Sequence, residues 1–472
     1  MEKRRLGSDA YGGCEGESYQ PYVPAASTQP EFTARAVIAG VLIGIVFGAA
    51  NAYLGLKVGL TVSASVPAAV IAIALGRGLI GRTTVLENNM IQTIGSSGEA
   101  IAAGVVFTIP ALIVLGFMPE LSKIFALASI GGLLGIFFMI PLRRYLIVRE
   151  HRRLLYPEGV ACAEVLVAGD TGGTGVRMVM SGLGLGAAYE FLTGAVRLWQ
   201  DRPTWNVRGI AGAQVSGEIS SALLGVGYII GPRIAAIMLA GGALSWLVII
   251  PLIHFIGRGL AEPLFPATVP IASMQPADIW NNYIRYIGVG AVAFGGLVTL
   301  VRAIPTIVAS FGAGLSGIRR RRCGVPSVPV RTDTDLPLGV VVLGAVALVV
   351  IVAALPQLPV NTLGAVLITV FSFFFVTVTS RLVGVIGSSS NPASGMTIAT
   401  LLGTTLVFRA MGWTGAAGMI AAVSVGSVVC IAICSAGDIS QDLKTGFLVG
   451  ATPSRQQTGE IIGALTTRLF KL

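Results

Sequence analysis

The sequence predicts an all-α polytopic membrane protein with about 12–13 transmembrane segments, broken or re-entrant helices and internal repeats. Three observations lead there. Only 11% of the 472 residues are charged, against about 25% in an ordinary soluble domain, and the mean hydropathy is +0.82. The apolar residues form continuous runs of about 20 instead of alternating, which argues against a β-barrel. The 62 glycines supply small faces on which membrane helices pack closely. A formal charge of +10 would point a soluble chain towards nucleic acid; here it reads as basic loops facing anionic lipid.

Residues 1–33 are polar, begin Met-Glu-Lys-Arg-Arg and contain Pro21, Pro24 and Pro30. They are expected to form a flexible cytoplasmic tail, not a secretory signal. Residues 34–472 are expected to form one transmembrane domain. Apolar segments fall near 34–56, 58–76, 87–116, 125–147, 175–197, 208–230, 233–256, 284–315, 336–355, 360–380, 392–408 and 414–436, with a weaker one from 459. Basic clusters precede the first segment (Lys3, Arg4, Arg5) and follow the second (Arg77, Arg82), fourth (Arg143, Arg144, Arg149, Arg152, Arg153), eighth (Arg319 to Arg322) and twelfth (Lys444, Arg455). If each segment crosses once, all these clusters share one side. The positive-inside rule then places the N-terminus in the cytoplasm of a cell (inner or plasma) membrane. The basic loop at about 316–335 is expected to separate two halves, and Pro305 to kink the long run 284–315.

One polar, glycine-rich run stands out, from Glu87 to Gly104. On a helix Asn88, Gln92, Ser96 and Glu99 share a face, because each residue turns about 100°. In hydrocarbon such a face must point at a protein interior or a wet cavity, which makes it a candidate substrate or ion pathway. Thr84-Val85-Leu86-Glu87 also matches a capping box, so Glu87 has a purely structural reading as a helix start.

Four further stretches carry polar groups between apolar runs. Asn51 to Ser65 sets Asn51, Tyr53 and Lys57 among glycines. It reads as a broken helix with Lys57 as an anion contact, or as a tight turn with a snorkelling lysine. Ser380 to Gly395 ends in Ser389, Asn391, Pro392 and Ser394. Asn391 suits an N-cap and Pro392 a first helical position, so the stretch is either a helix start aimed at an anionic substrate or an ordinary capped loop. Asp438, Asp442 and Lys444 suit a carboxylate pair or a gate, or a solvated helix start. Tyr156 to Val165, with Glu158 and Glu164, reads as a short amphipathic piece whose plain explanation is interfacial packing.

Other chemistry is missing from the sequence. There is no Walker A lysine motif, so ATP coupling within the chain is not expected. His151 and His254 are far apart in sequence and form no zinc motif, and His151 in its basic loop is expected to be solvated. Cys430 and Cys434 read as buried small side chains on one helix face rather than as a metal or redox pair. No catalytic group, metal site or cofactor is expected.

The chain resembles the oligopeptide transporter family, in its prokaryotic branch, related to the yellow stripe-like metal-chelate transporters. The resemblance rests on Asn-Ala-Tyr-Leu-Gly-Leu-Lys-Val-Gly-Leu-Thr at 51–61, Glu-Asn-Asn-Met-Ile-Gln-Thr at 87–93 and Gly98-Glu99 with Ala102-Ala103-Gly104. Tyr156-Pro157 with Cys162-Ala163-Glu164, the Gly-Ser-Ser-Ser-Asn-Pro run at 387–392 and Gly437-Asp438 with Gln441-Asp442-Leu443-Lys444-Thr445-Gly446 extend it. It implies a secondary transporter, usually proton-coupled, for small peptides, glutathione-like molecules or metal complexes. Because family chains continue with further hydrophobic segments beyond the equivalent of Leu472, it also implies a C-terminally truncated member.

The resulting expectation is proton-driven uptake of a small peptide or peptide-like substrate, with the proton gradient as energy source and lipid as surroundings. A homo-oligomer stays open, and no nucleic acid is involved. Asn51, Tyr53, Lys57, Asn88, Gln92, Ser96, Ser389, Asn391 and Ser394 are the candidate substrate contacts. Glu99, then Glu87 and Glu164, are the candidate proton-coupling groups, and Asp438, Asp442 and Lys444 the candidate gate. A metal-chelate transporter of the same family is the alternative; a channel or an intramembrane enzyme are rivals of another class.

Overall fold

The computed structural model describes residues 6–58, 61, 63–78, 81–118, 120–171, 174–200, 202–217, 219–295, 298, 301, 305, 330–354 and 360–466. The four arginines 319–322, most of the 316–335 loop and the surroundings of Pro305 lie outside them. The chain divides into two compact units, residues 1–176 with 295–472, and residues 177–294.

The fold is all-α, as the sequence predicts. Among the described residues seven helical stretches are long and apolar enough to cross a membrane: Ala34–Tyr53, Val85–Val114, Leu121–Arg149, Gly231–Gly257, Arg331–Ala354, Thr362–Ile386 and Ala416–Val449. Several other expected segments are present as shorter or more polar helices.

In the first unit the helices run α1 (Ala34–Val58), α2 (Ser65–Gly78), α3 (Val85–Val106), α4 (Ile109–Val114), α5 (Leu121–Arg143) and α6 (Pro157–Thr171). The second unit contains most of α7 (Thr174–Glu190), then a two-stranded ribbon in which Trp205 pairs with Val215. Next come α8 (Ser221–Ala243), kinked at Gly231-Pro232, α9 (Ile250–Gly257) and α10 (Pro276–Ile279). The chain then completes the first unit with α11 (Leu338–Ala354), α12 (Thr362–Ile386), α13 (Ala393–Ala410), α14 (Ala416–Val449) and α15 (Pro453–Thr466).

Helices α3 and α14 form the axis of the first unit and pack on each other. Both are buried over most of their length, polar residues included. Small residues make the approach possible: a Cβ on Gly104 of α3 would stand 2.6 Å from Ile431 Cα. One on Gly135 of α5 would stand 2.7 Å from the Ala432 carbonyl oxygen. Each axial helix follows a helix–break–helix. α1 and α2 precede α3 and pack on it; α12 and α13 precede α14 and pack on it. α1 and α12 are both 25 residues long.

Residues 6–33 differ from the expected flexible tail. Ala10, Tyr19 and Val23 are buried in one cluster with Val160, Leu166, Leu448 and Val449. Buried Glu31 accepts from the Thr452 amide (2.5 Å) and lies 3.4 Å from Arg455. The segment holds enough aromatic and aliphatic surface to be laid down on the body, which its prolines and polar composition conceal.

Candidate functional site

The two helix breaks meet. A cavity of about 240 Å³ is walled by Thr61 and Ser63 of the first break, and by Ser388, Ser389 and Asn391 of the second. Glu99, Ala103 and Phe107 of α3, Ala393 and Ser394 at the start of α13, and Cys434 and Asp438 of α14 complete it. Local sequence explains each break. After α1 the sequence reads Gly-Leu-Thr-Val-Ser-Ala before α2 begins at Ser65, and after α12 Gly387 takes a left-handed conformation (φ 85°). Pro392 then stands at the N-cap of α13, one residue later than the cap expected at Asn391. The Asn391 side chain instead accepts from Thr379 Oγ1 at 2.8 Å. The N-terminal end of α13, the positive end of its dipole, opens on the cavity through Ala393 and Ser394.

Glu99 is the carboxylate of α3 in this cavity. It is 1% exposed, accepts from the Asn51 carboxamide nitrogen, and accepts from the Ala64 amide at 3.2 Å. Among the described residues no lysine or arginine pairs with it. Asp438 enters from α14 and accepts from Ser388 Oγ. Glu158, at the start of α6, accepts from the Ser389 amide at 2.9 Å and so braces the second break from behind. The charges of Asp438, Asp442 and Glu158 all bear on Glu99.

Behind the cavity a second polar layer joins α2, α3 and α14. Ser65 Oγ is 2.8 Å from Ser96 Oγ and donates to Asp442 Oδ1 at 2.9 Å, and the Gln92 amide nitrogen donates to the same oxygen. Gln456 of α15 bridges Thr93 Oγ1 (3.0 Å) and the Asp442 carbonyl (2.6 Å).

The structure thus gathers Glu99, Ser389, Asn391, Ser394 and Asp438 around one cavity, with Asn51, Ser96, Gln92 and Asp442 directly behind it. It separates others. Tyr53 is 59% exposed on α1, and the Lys57 side chain lies outside the described residues. Asn88 accepts from Thr83 Oγ1 (2.7 Å) at the entrance of α3. Glu87 closes the capping box with Thr84 and accepts from both Arg35 Nε and Nη2 (2.8 and 2.7 Å), so its structural reading explains its contacts. Glu164 accepts from Tyr11 of the N-terminal segment (2.6 Å), away from the cavity.

Lys444 forms no gate with the aspartates among the described residues. Its Nζ lies 2.6 Å from His151 Nδ1 and 3.3 Å from the Leu154 carbonyl. His151 is fully buried, not solvated: the N-terminal segment covers it, and its Nε2 meets the Asp9 carbonyl at 2.8 Å. Burial first, and the nearby Lys444 cation second, depress the His151 pKa to about 4. Sequence reasoning gave no role to Glu158, Ser63 or Ser388. Pro157-Glu158 reads as a helix start, and the two serines flank residues already singled out, but nothing local says that the three converge.

The chain matches the OPT oligopeptide transporter protein family over residues 31–470. It belongs to the oligopeptide transporter family. A Haemophilus influenzae protein named "Putative oligopeptide transporter" is 34% identical over 421 residues, covering 82% of this chain and 63% of that protein. More distant relatives of the family include "Probable metal-nicotianamine transporter YSL17" of Oryza sativa subsp. japonica, 23% identical over 73% of this chain and 52% of the relative. "Probable metal-nicotianamine transporter YSL8" of Arabidopsis thaliana is 23% identical over 80% of this chain and 57% of its own length. This oligopeptide transporter family member therefore spans less than two thirds of the length of each of these relatives.

Proposed function

We propose that this protein is a secondary active transporter that takes up a small peptide or peptide-like solute with protons. The observation that carries the reading is the cavity between two helix breaks, with Glu99 and Asp438 entering it from the two axial helices. Irregular backbone at membrane depth persists where it lines a cavity, and helix breaks are a recurring construction of secondary-transporter sites. The groups suit a zwitterionic solute. Its amine meets Glu99 and Asp438, its carboxylate meets the start of α13, and the serine hydroxyls and Asn391 meet its amides.

A carboxylate buried without a paired cation needs a proton or a positively charged group, which makes Glu99 the first coupling candidate. The protein sits in the cell membrane with its N-terminus cytoplasmic. Its basic clusters before α1, after α2 and after α5 would then face anionic lipid. It works as a membrane-embedded carrier, alone or as a homo-oligomer, without a cofactor.

The test is uptake into proteoliposomes from a panel of labelled di- and tripeptides. Accumulation against the gradient only under an imposed proton gradient supports the reading. Passive, non-saturating equilibration would make it a channel, and cleaved product an enzyme. A second reading, transport of a metal chelate, is favoured by the names of the YSL relatives. Including nicotianamine-like chelates with and without bound iron in the panel separates the two.

A further inference from the structure

The polar interior continues past the cavity to Asp442, which does not line it. Asp442 is one helical turn beyond Asp438 on α14 and fully buried. Its Oδ1 already has two donors, Ser65 Oγ and Gln92 Nε2. Among the described residues its Oδ2 has no hydrogen-bond partner, and neither has Gln92 Oε1, the oxygen of the same amide that binds Oδ1. Gln92 is itself 0% exposed. Two orphan acceptors thus belong to one hydrogen-bonded pair of buried side chains, and two acceptors cannot satisfy each other.

Among the described residues no neighbouring cation resolves this. On α14 itself Asp438 has the same sign, and Lys444 is turned to His151. The packed helices bring Glu99 from α3, Cys162 from α6 and Glu460 from α15, none of them a cation. Arg143 of α5 is committed to Asp335 at 2.5 Å. Among the described residues no group of three His, Cys, Asp or Glu side chains could hold a metal ion.

We propose that Asp442 is a proton-binding site separate from the substrate cavity. A proton on Oδ2 makes that atom a donor to Gln92 Oε1, while Gln92 Nε2 keeps donating to Oδ1, so acid and amide pair through two hydrogen bonds. One proton satisfies both orphans and removes an unpaired buried charge. The site communicates with the cavity through hydroxyls: Ser63, a cavity residue, donates to Ser65 at 3.4 Å, and Ser65 donates to Asp442. The use of this proton in coupling rests on the transporter reading above; its presence on Asp442 does not.

Infrared difference spectroscopy on the purified full chain at neutral pH tests it. The carbonyl stretch of a protonated carboxylic acid is expected in the wild type, with a deuterium shift. Asp442→Asn should lose that component, and Gln92→Leu should shift it to higher frequency, since both hydrogen bonds between the amide and the acid are gone. Spectra of both variants that match the wild type in the protonated-acid region overturn the proposal. So does a wild type whose Asp442 component appears only on acidification, or one whose carboxylate band responds to sodium at constant pH. If Asp442→Asn fails to fold, the Gln92→Leu shift decides alone. Failure of every solute to be taken up would sink the transporter reading and leave this assignment to the spectra.

Discussion

The Asn51 carboxamide donates to Glu99 across 48 residues of sequence, fixing the C-terminal half of α1 to α3 at the edge of the cavity. The pair ties the first helix break to the axial helix that follows it.

If Glu99 carries the coupling proton, Glu99→Gln abolishes the response of uptake to an imposed proton gradient. It lowers uptake by about 10–100-fold, the scale of losing one charged hydrogen-bonding group. Uptake in proteoliposomes from pH 5.5 to 8 checks this; an unchanged pH profile excludes Glu99. Asn51→Leu removes a donor from a buried carboxylate and should cost about 1–3 kcal/mol of stability, read as a lower melting temperature in detergent.

Helix α5 meets α14 through Gly131 and Gly135, where an added Cβ would stand 2.8 Å from the Val428 carbonyl oxygen and 2.7 Å from that of Ala432. Backbone cannot yield as a flexible side chain does. Gly135→Ala should therefore destabilise by about 1–3 kcal/mol. Gly339→Ala, where the new methyl meets nothing within 4 Å, should not destabilise. Thermal melts of the two variants side by side make the comparison.

Arg143 is 2% exposed and holds Asp335 by two hydrogen bonds, of 2.5 and 2.9 Å, with Gln457 as a third partner of the carboxylate. Arg143→Ala should cost about 3 kcal/mol, the lower end for a broken buried pair, because Asp335 keeps partial access to solvent. Adding Asp335→Ala should recover part of the loss, which a double-mutant cycle on melting data measures.

His151 holds the N-terminal segment through the Asp9 carbonyl and is neutral in the fold, with its pKa lowered from 6.5 to about 4. The unfolded or undocked chain binds a proton more readily, so this contribution is complete above about pH 6.5. It is lost progressively as pH falls from there towards 4. Protection factors of the amides in residues 6–27, taken relative to the intrinsic exchange rate at each pH, should fall over that window, and His151→Asn should flatten the dependence.

Much of the fold was legible because membrane helices declare themselves in composition and run length, and the α3 face because a helical period places Gln92, Ser96 and Glu99 together. The Thr84–Glu87 cap was legible for a similar reason: its partners lie three residues apart. Long-range partners were not. Nothing near Glu87 announces Arg35, nothing near Lys444 announces His151, and Glu164 looks as interior as Glu158 until Tyr11 is seen to cover it. The folded-down N-terminal segment was missed because its few buried side chains are spaced irregularly among prolines.

Helix α14 is 34 residues long, about 51 Å at 1.5 Å per residue, well beyond a bilayer core of about 30 Å. It carries Asp438 in the cavity wall and, six residues on, Lys444 under the N-terminal segment, about 9 Å along the axis. An unbroken helix is stiff over that span. If α14 moves as a rigid rod, a tilt or rotation that repositions Asp438 also shifts Lys444 against His151. A rigid movement of α14 that changes the cavity wall would then also change the seating of the N-terminal segment.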